Sequence, residues 1–328
     1  IDFKVAGSDK LVISSTSHLV TTTAGTSNLV LGENAGNSIA SGGNYNVLIG
    51  DEAGTAITTG DFNVAVGFEA LKTEDANGKN IAIGYQALKV LDVGSDGFNT
   101  VIGYQAGVSM NTGIVNTIIG HQAGDAITTG NNNVAIGHEA LGAEIQGDKS
   151  VAVGVGALQA QSNSTDADAN NTAVGYNAGV AVTTGIQNTL IGSQAGDAIT
   201  DADENVAVGY NALSVNTVGS RSTAVGHNAL LFQNPSTATD MNNVAVGYGA
   251  GSQVTTAQNN TFVGADAGDA VTTGALNTFV GSSAGSATDD GESNTAVGAF
   301  ALDAGNCGDN NTAIGSGALG SSTHTTSN

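Results

Sequence analysis

The phrase N-x-x-[VIL]-G-x-x-A, with Ser twice replacing its leading Asn, returns along this chain at a nearly fixed interval. A period of this size decides the architecture before composition is considered. Its glycine falls at Gly32, Gly50, Gly67, Gly84, Gly103, Gly120, Gly137, Gly154, Gly175, Gly192, Gly209, Gly226, Gly247, Gly264, Gly281, Gly298 and Gly315. Twelve of the sixteen intervals are seventeen residues, and the others are 18, 19, 21 and 21. One phrase therefore makes one coil, and coils bury their apolar side chains against their neighbours.

Numbering the Asn as position 0, position 3 is aliphatic in every copy and β-branched in all but the first (Leu31), which favours a strand. Position 1 is Val, Ile, Leu or Thr and shares a strand face with position 3; position 2 points the other way and is apolar throughout. A strand apolar on both faces is expected to be buried on both. Two arrangements satisfy this, a closed cyclic homotrimer, intertwined or side by side, or a wider coil of one chain, and the trimer is the expectation. The invariant Gly of position 4, as at Gly175 and Gly192, permits a turn or a close backbone approach. The invariant Ala of position 7, as at Ala178 and Ala195, implies a crowded corner. Asn at position 0, as at Asn171 and Asn188, suits left-handed turn geometry and a stacked amide ladder. The fold class is all-β, a parallel β-solenoid (β-roll or β-helix) of about 17-residue coils.

Position 8 alternates in blocks between Gly and Leu, and every copy ending in Leu has Ala at position 2. Copies ending in Gly carry a larger residue there, such as Leu48, Ile118, Leu190 or Phe262, so the two positions exchange volume in one packed layer. Ala173 and Ala245 break the rule, and both follow 21-residue coils whose changed corner is expected to fill the gap. Long loops at 89–98, 159–170 and 231–242 recur every four coils. Stacked at roughly 4.8 Å, seventeen coils would form a shaft of about 80 Å with loops protruding about every 19 Å. The organisation expected is a β-rich lead-in over 1–27, with alternating KLVISST and HLVTTT, the repeat shaft over 28–319, and a flexible tail over 320–328.

Composition narrows the function. Aromatics are 4% and Trp is absent, which argues against a conventional globular core, while glycines in register with aliphatic residues argue against a disordered linker. A formal charge of -22 disfavours nucleic acid and anionic membrane surfaces as partners. No apolar run approaches the roughly 18 residues of a membrane span, so membrane insertion is not expected. The opening IDFKVAGSDK is not a signal peptide.

The phrases NVAVGFEAL, NIAIGYQAL and NTAIGSGAL resemble the head repeats of trimeric autotransporter adhesins and the repeat shafts of bacteriophage tail fibres. The resemblance covers about nine-tenths of the chain and implies a trimeric β-solenoid. The autotransporter head coil is shorter than seventeen residues, and this sequence carries no coiled-coil stalk or membrane anchor, which tilts the comparison to the viral fibre. That resemblance implies a structural, non-enzymatic shaft in the virion or on an extracellular surface, homotrimeric, presenting a surface to a host glycan or protein. The alternatives are a cell-surface adhesin head binding host or matrix, and a monomeric calcium- or ice-binding solenoid.

Position 5 carries five of the six tyrosines, Tyr85, Tyr104, Tyr176, Tyr210 and Tyr248, with Phe68, His121, His138 and His227 in the same register. Such a stripe either stacks on sugar rings or covers the shaft between chains. His121 and His138, on successive coils, would each appear three times around a trimer axis and could hold a metal if turned inward. The acidic loops DADE (201–204) and TDDGE (288–292) offer oxygen ligands for calcium or another divalent cation, without matching a known calcium loop. The ITTG and VTTG turns at 57–60, 127–130, 182–185 and 271–274 raise the ice-binding alternative. No nucleophile–base arrangement is present, and GVGAL at 154–158 is a repeat corner, so no catalytic residue is expected.

Overall fold

A computed structural model describes residues 2–5, 8–13, 19–20, 23–165, 167–305 and 307–320. It divides into two compact units, residues 1–150 with 162–168, and residues 151–161 with 169–328. The first opens with an antiparallel trio of short strands, Asp2–Val5, Ser8–Ile13 and Leu19–Val20. Seven three-residue parallel rungs follow at Leu29–Leu31, Val47–Ile49, Val64–Val66, Ile81–Ile83, Thr100–Ile102, Thr117–Ile119 and Val134–Ile136. The second unit has ten more, from Val151–Val153 to Thr312–Ile314, again paired in parallel with their sequence neighbours. Each unit is a parallel β-solenoid, and no helix occurs among the described residues. The tail expected over 320–328 lies outside them from residue 321 onward.

Each coil closes by turning its backbone where side chains ordinarily forbid it. Position 4 glycine sits at φ between 120° and 147° in all seventeen copies, a region closed to L side chains. There is also no room for one: a Cβ on Gly175 would lie 2.5 Å from the carbonyl oxygen of Gly192, one rung on. Positions 6 and 8 adopt the left-handed conformation in every copy, and so does the residue before position 0, from Ser27 and Tyr45 to Asn310. The left-handed residue is thus one place earlier than the sequence suggested, and the Asn keeps only its second expected task, a column of amides from coil to coil.

That task is a buried polar spine. Asn188 donates its backbone N–H to Asn171 Oδ1 at 2.9 Å and its Nδ2 to the carbonyl of Ala202 at 2.8 Å. Asn205 repeats both bonds with Asn188 and Gly219. The amides tie strand starts to the previous coil and to a loop of their own coil, so most of this buried column is hydrogen-bonded; the exceptions are Asn294 Nδ2 and Asn311 Oδ1, near the C-terminal end. Direct amide–amide bonds join only some rungs, as from Asn188 Nδ2 to Asn171 Oδ1 at 3.3 Å.

The core is made within one chain. Apart from Val30, Ala318 and Leu319 in the first and last coils, position 2, the Ala of position 7 and the Leu of position 8 are buried, joined by position 11: Ile57, Leu91, Met110 and Ile127 in the first unit, Val182, Ile199, Val254 and Val271 in the second. Positions 1 and 3 flank the buried strand centre and stay partly exposed, so burial on both strand faces is not achieved inside the chain. The wider single-chain coil accounts for the inward face, and the outward face is left over.

The volume exchange holds at atomic level, with one correction. Ala173 and Ala245 are compensated by neighbouring coils rather than by a changed corner. Leu190 and Leu158 both crowd the space over Gly179, and Phe262 with Leu230 crowds that over Gly251. Where position 8 is Leu, position 11 usually turns polar, as at Glu74, Glu144, Gln161, Asn216 and Gln233, all buried.

Candidate functional site

Each rung turns the side chains of positions 1 and 3 outward. In the second unit these pairs are Val or Thr with Val or Ile, and Ile191, Val244, Val246, Val263 and Val297 are 37–39% exposed. No charged residue occupies positions 1 to 3 of any copy in a chain that carries 29 acidic residues. The result on each unit is a ribbon of β-branched side chains, bordered on one side by position 5 and on the other by the left-handed residue before position 0.

The position 5 border is an aromatic ladder. In the first unit Phe68, Tyr85, Tyr104, His121 and His138 stack in order, with centroids 5.0–5.5 Å apart and planes within 16°. Parallel strands at a spacing of about 4.8 Å impose this repeat on identical positions. In the second unit His227 stacks on Tyr248 at 5.1 Å, and Tyr210 lies 5.3 Å from His227 with its plane tilted by 31°. The column faces solvent, since Tyr85 is 40% and Tyr104 47% exposed. Rings packed between neighbours in this way turn edges and hydroxyls outward. Tyr176 stands apart, with Val155 and Ser193 on the adjacent rungs of its column.

His121 and His138 belong to this exposed ladder, ring on ring, with His138 Nε2 3.8 Å from Glu139 Oε1. Beside it, position 6 forms a polar column: Gln105 donates to Gln86 at 3.0 Å, and Gln86 to Glu69 at 2.7 Å. Glu69 also accepts from Lys72 and Lys89, and these bonds, Lys72 first, hold its carboxyl down at about 2. Lys72 is bound in turn by Glu52 and Glu69, which push its ammonium up to about 12.

The opposite border escaped sequence reading. Tyr45 stacks on Phe62 at 5.1 Å, Lys79 lies 5.1 Å over Phe98, and Tyr45, Phe62 and Phe98 are each more than half exposed. Lys79 also pairs with Asp96. Aligning the copies one residue further upstream exposes this column.

Of the acidic loops flagged for a cation, Asp201 accepts a hydrogen bond from Thr200, and Asp289 accepts one from Thr272. One group of three carboxylates lies within 4.8 Å among the described residues, and it is elsewhere: Glu74, Asp75 and Asp92. Glu74 is fully buried, and burial pushes its carboxyl up to about 7 although Asn77 and Val93 donate to it from the backbone. The leading threonines of the ITTG and VTTG turns spend their hydroxyls within the protein. Thr58, Thr128 and Thr183 donate to the carbonyls of Asp75, Ile145 and Thr200.

No protein-family model matches the chain, and no curated protein matches it. No helix among the described residues is long and apolar enough to cross a membrane.

Proposed function

We propose that this chain is the structural shaft of an extracellular fibre of the phage tail-fibre kind. It assembles as a homotrimer through its outward β-branched ribbons and carries or presents a surface that recognises a host. The observation that carries this reading is the ribbon itself. A solenoid that completes its core alone has no need of Val or Ile at position 3 in nearly every coil, and an acidic chain would ordinarily place charge there. Such a charge-free face of β-branched side chains, apolar at position 3 on every rung, marks an association surface. Binding and mechanical support, rather than catalysis, are the roles assigned, and the host partner is a surface glycan or protein.

Substitution of Val208 and Val225 by Lys places two charges in the centre of one ribbon, on adjacent rungs. The double variant is expected to sediment as a monomer with its solenoid circular dichroism intact. The control Asn259→Lys, outside the ribbon, is expected to leave the assembly unchanged. A double variant that sediments like the wild type contradicts the reading.

One observation favours a second reading, a monomer that orders water. Position 1 in the second unit is Thr at Thr172, Thr189, Thr223, Thr261, Thr278, Thr295 and Thr312, and each such Thr shares its outward face with a Val or Ile at position 3. That reading predicts a monomer and inhibited ice growth.

A further inference from the structure

The aromatic ladder of the second unit has a missing rung. Backbone bonds fix the register: Gln194 N–H donates to the Tyr176 carbonyl at 2.9 Å, and Asn211 N–H to the Ser193 carbonyl at 3.3 Å. Tyr176, Ser193 and Tyr210 therefore occupy one column on three consecutive rungs. In the first unit consecutive rings stack at 5.0–5.5 Å and cover each other's faces, and in the second His227 lies 5.3 Å from Tyr210 with its plane tilted by 31°. Here Ser193 replaces the middle ring, so the inner faces of Tyr176 and Tyr210 have no aromatic partner. Both rings are open to solvent, Tyr176 at 56% and Tyr210 at 47% exposed.

Two rungs span about 10–11 Å, twice the 5.0–5.5 Å repeat of neighbouring rings in these columns. Two carbon contacts of about 3.5–4.0 Å, plus the thickness of a puckered ring, fill that span. A flat aromatic guest would leave slack. We propose that Tyr176 and Tyr210 form a clamp for one neutral pyranose ring, with Ser193 as its floor and hydrogen-bonding hydroxyl. Both faces of the guest must present C–H groups, so an all-equatorial sugar of the gluco type fits and one with an axial hydroxyl does not. The net charge of -22 selects against uronic and sialic acids. The proposal deepens the reading of the chain as a fibre that meets host glycans, and rests on it for its biological meaning.

The test is an NMR titration of the intact chain with methyl β-D-glucopyranoside, following saturation transfer to the sugar and the tyrosine ring signals. The expected result is binding that shifts Tyr176 and Tyr210 together, with methyl β-D-galactopyranoside markedly weaker. Tyr176→Ala is expected to weaken binding about tenfold, equivalent to about 1.4 kcal/mol. Ser193→Tyr restores the missing rung and is expected to abolish binding while the melting temperature holds or rises, which separates loss of the slot from loss of the fold. Absence of binding, equal binding of the two sugars, or retained binding in Ser193→Tyr overturns the proposal. Particle mass, measured on the same samples, reports on the fibre reading independently of the clamp.

Discussion

Single residues carry opposing obligations in this fold, and Leu at position 8 shows it best. Leu141, Leu158 and Leu213 are fully buried yet sit at φ of 49–55°, where glycine would be at ease. They accept backbone strain to fill the layer that Ala at position 2 leaves thin. Gly196 is the converse: a Cβ there would meet Leu190 Cδ2 at 2.7 Å and Ile199 Cδ1 at 2.8 Å. Gly196→Leu is expected to cost about 1–3 kcal/mol by overpacking. Adding Leu190→Ala, which recreates the neighbouring coil type, is expected to recover much of it in chemical denaturation. Titration separates two glutamates by sign. Glu74, pushed up to about 7, holds a proton in the folded state that it loses when unfolded, so its contribution falls as pH rises from about 4.5 to 7, by up to roughly 3 kcal/mol. Glu74→Gln should remove that slope. Glu69, held down at about 2, stabilises above the ordinary carboxylate range, and that contribution is lost as pH falls toward 2. Glu69→Gln should lower the melting temperature at neutral pH and flatten the acid limb, so that variant and wild type converge as pH falls toward 2.

At the level of the coil, the amide spine explains a pairing that looks accidental in sequence. Ser222 replaces the usual Asn, and eleven residues later Gln233 supplies the missing amide. It bonds Ser222 Oγ at 3.0 Å and accepts Asn243 Nδ2 at 2.9 Å. The same Ser-then-Gln spacing recurs at Ser150 and Gln161, and Gln161 accepts from Asn171 at 2.8 Å. Gln233→Ala is expected to destabilise by about 1–2 kcal/mol, because Asn243 keeps its second bond to Ala257. Its effect should be smaller in a Ser222→Asn background, as a double-mutant cycle would show. Much of the coil was legible in advance. The strand, its buried centre, the glycine corner and the exchange between positions 2 and 8 all follow from period and side-chain volume. Position 11 was not, because it alternates between apolar and polar and so breaks the signal that reveals a core position. The aromatic ladder at position 5 was legible as a stripe, but its ring-on-ring stacking depends on the rung spacing. The column of Tyr45, Phe62, Lys79 and Phe98 went unread because mixed residue types conceal a conserved left-handed backbone.

In the molecule as a whole, one chain completes its inward core and leaves its outward ribbon open. The inward side of each coil is closed by side chains of the same chain, with most of its polar spine hydrogen-bonded. The outward ribbon of positions 1 and 3 keeps apolar groups in water along both units, and burying them between copies recovers about 25 cal/mol for each Å² removed from solvent. Charge confined to loops and borders leaves the ribbon uninterrupted. The mass of the native particle, by equilibrium sedimentation or light scattering, tests this most directly. Three times the 32.1 kDa chain mass is the result the account predicts. A monodisperse particle of one chain mass, stable at high concentration, would contradict it and leave the ribbon as a face for water.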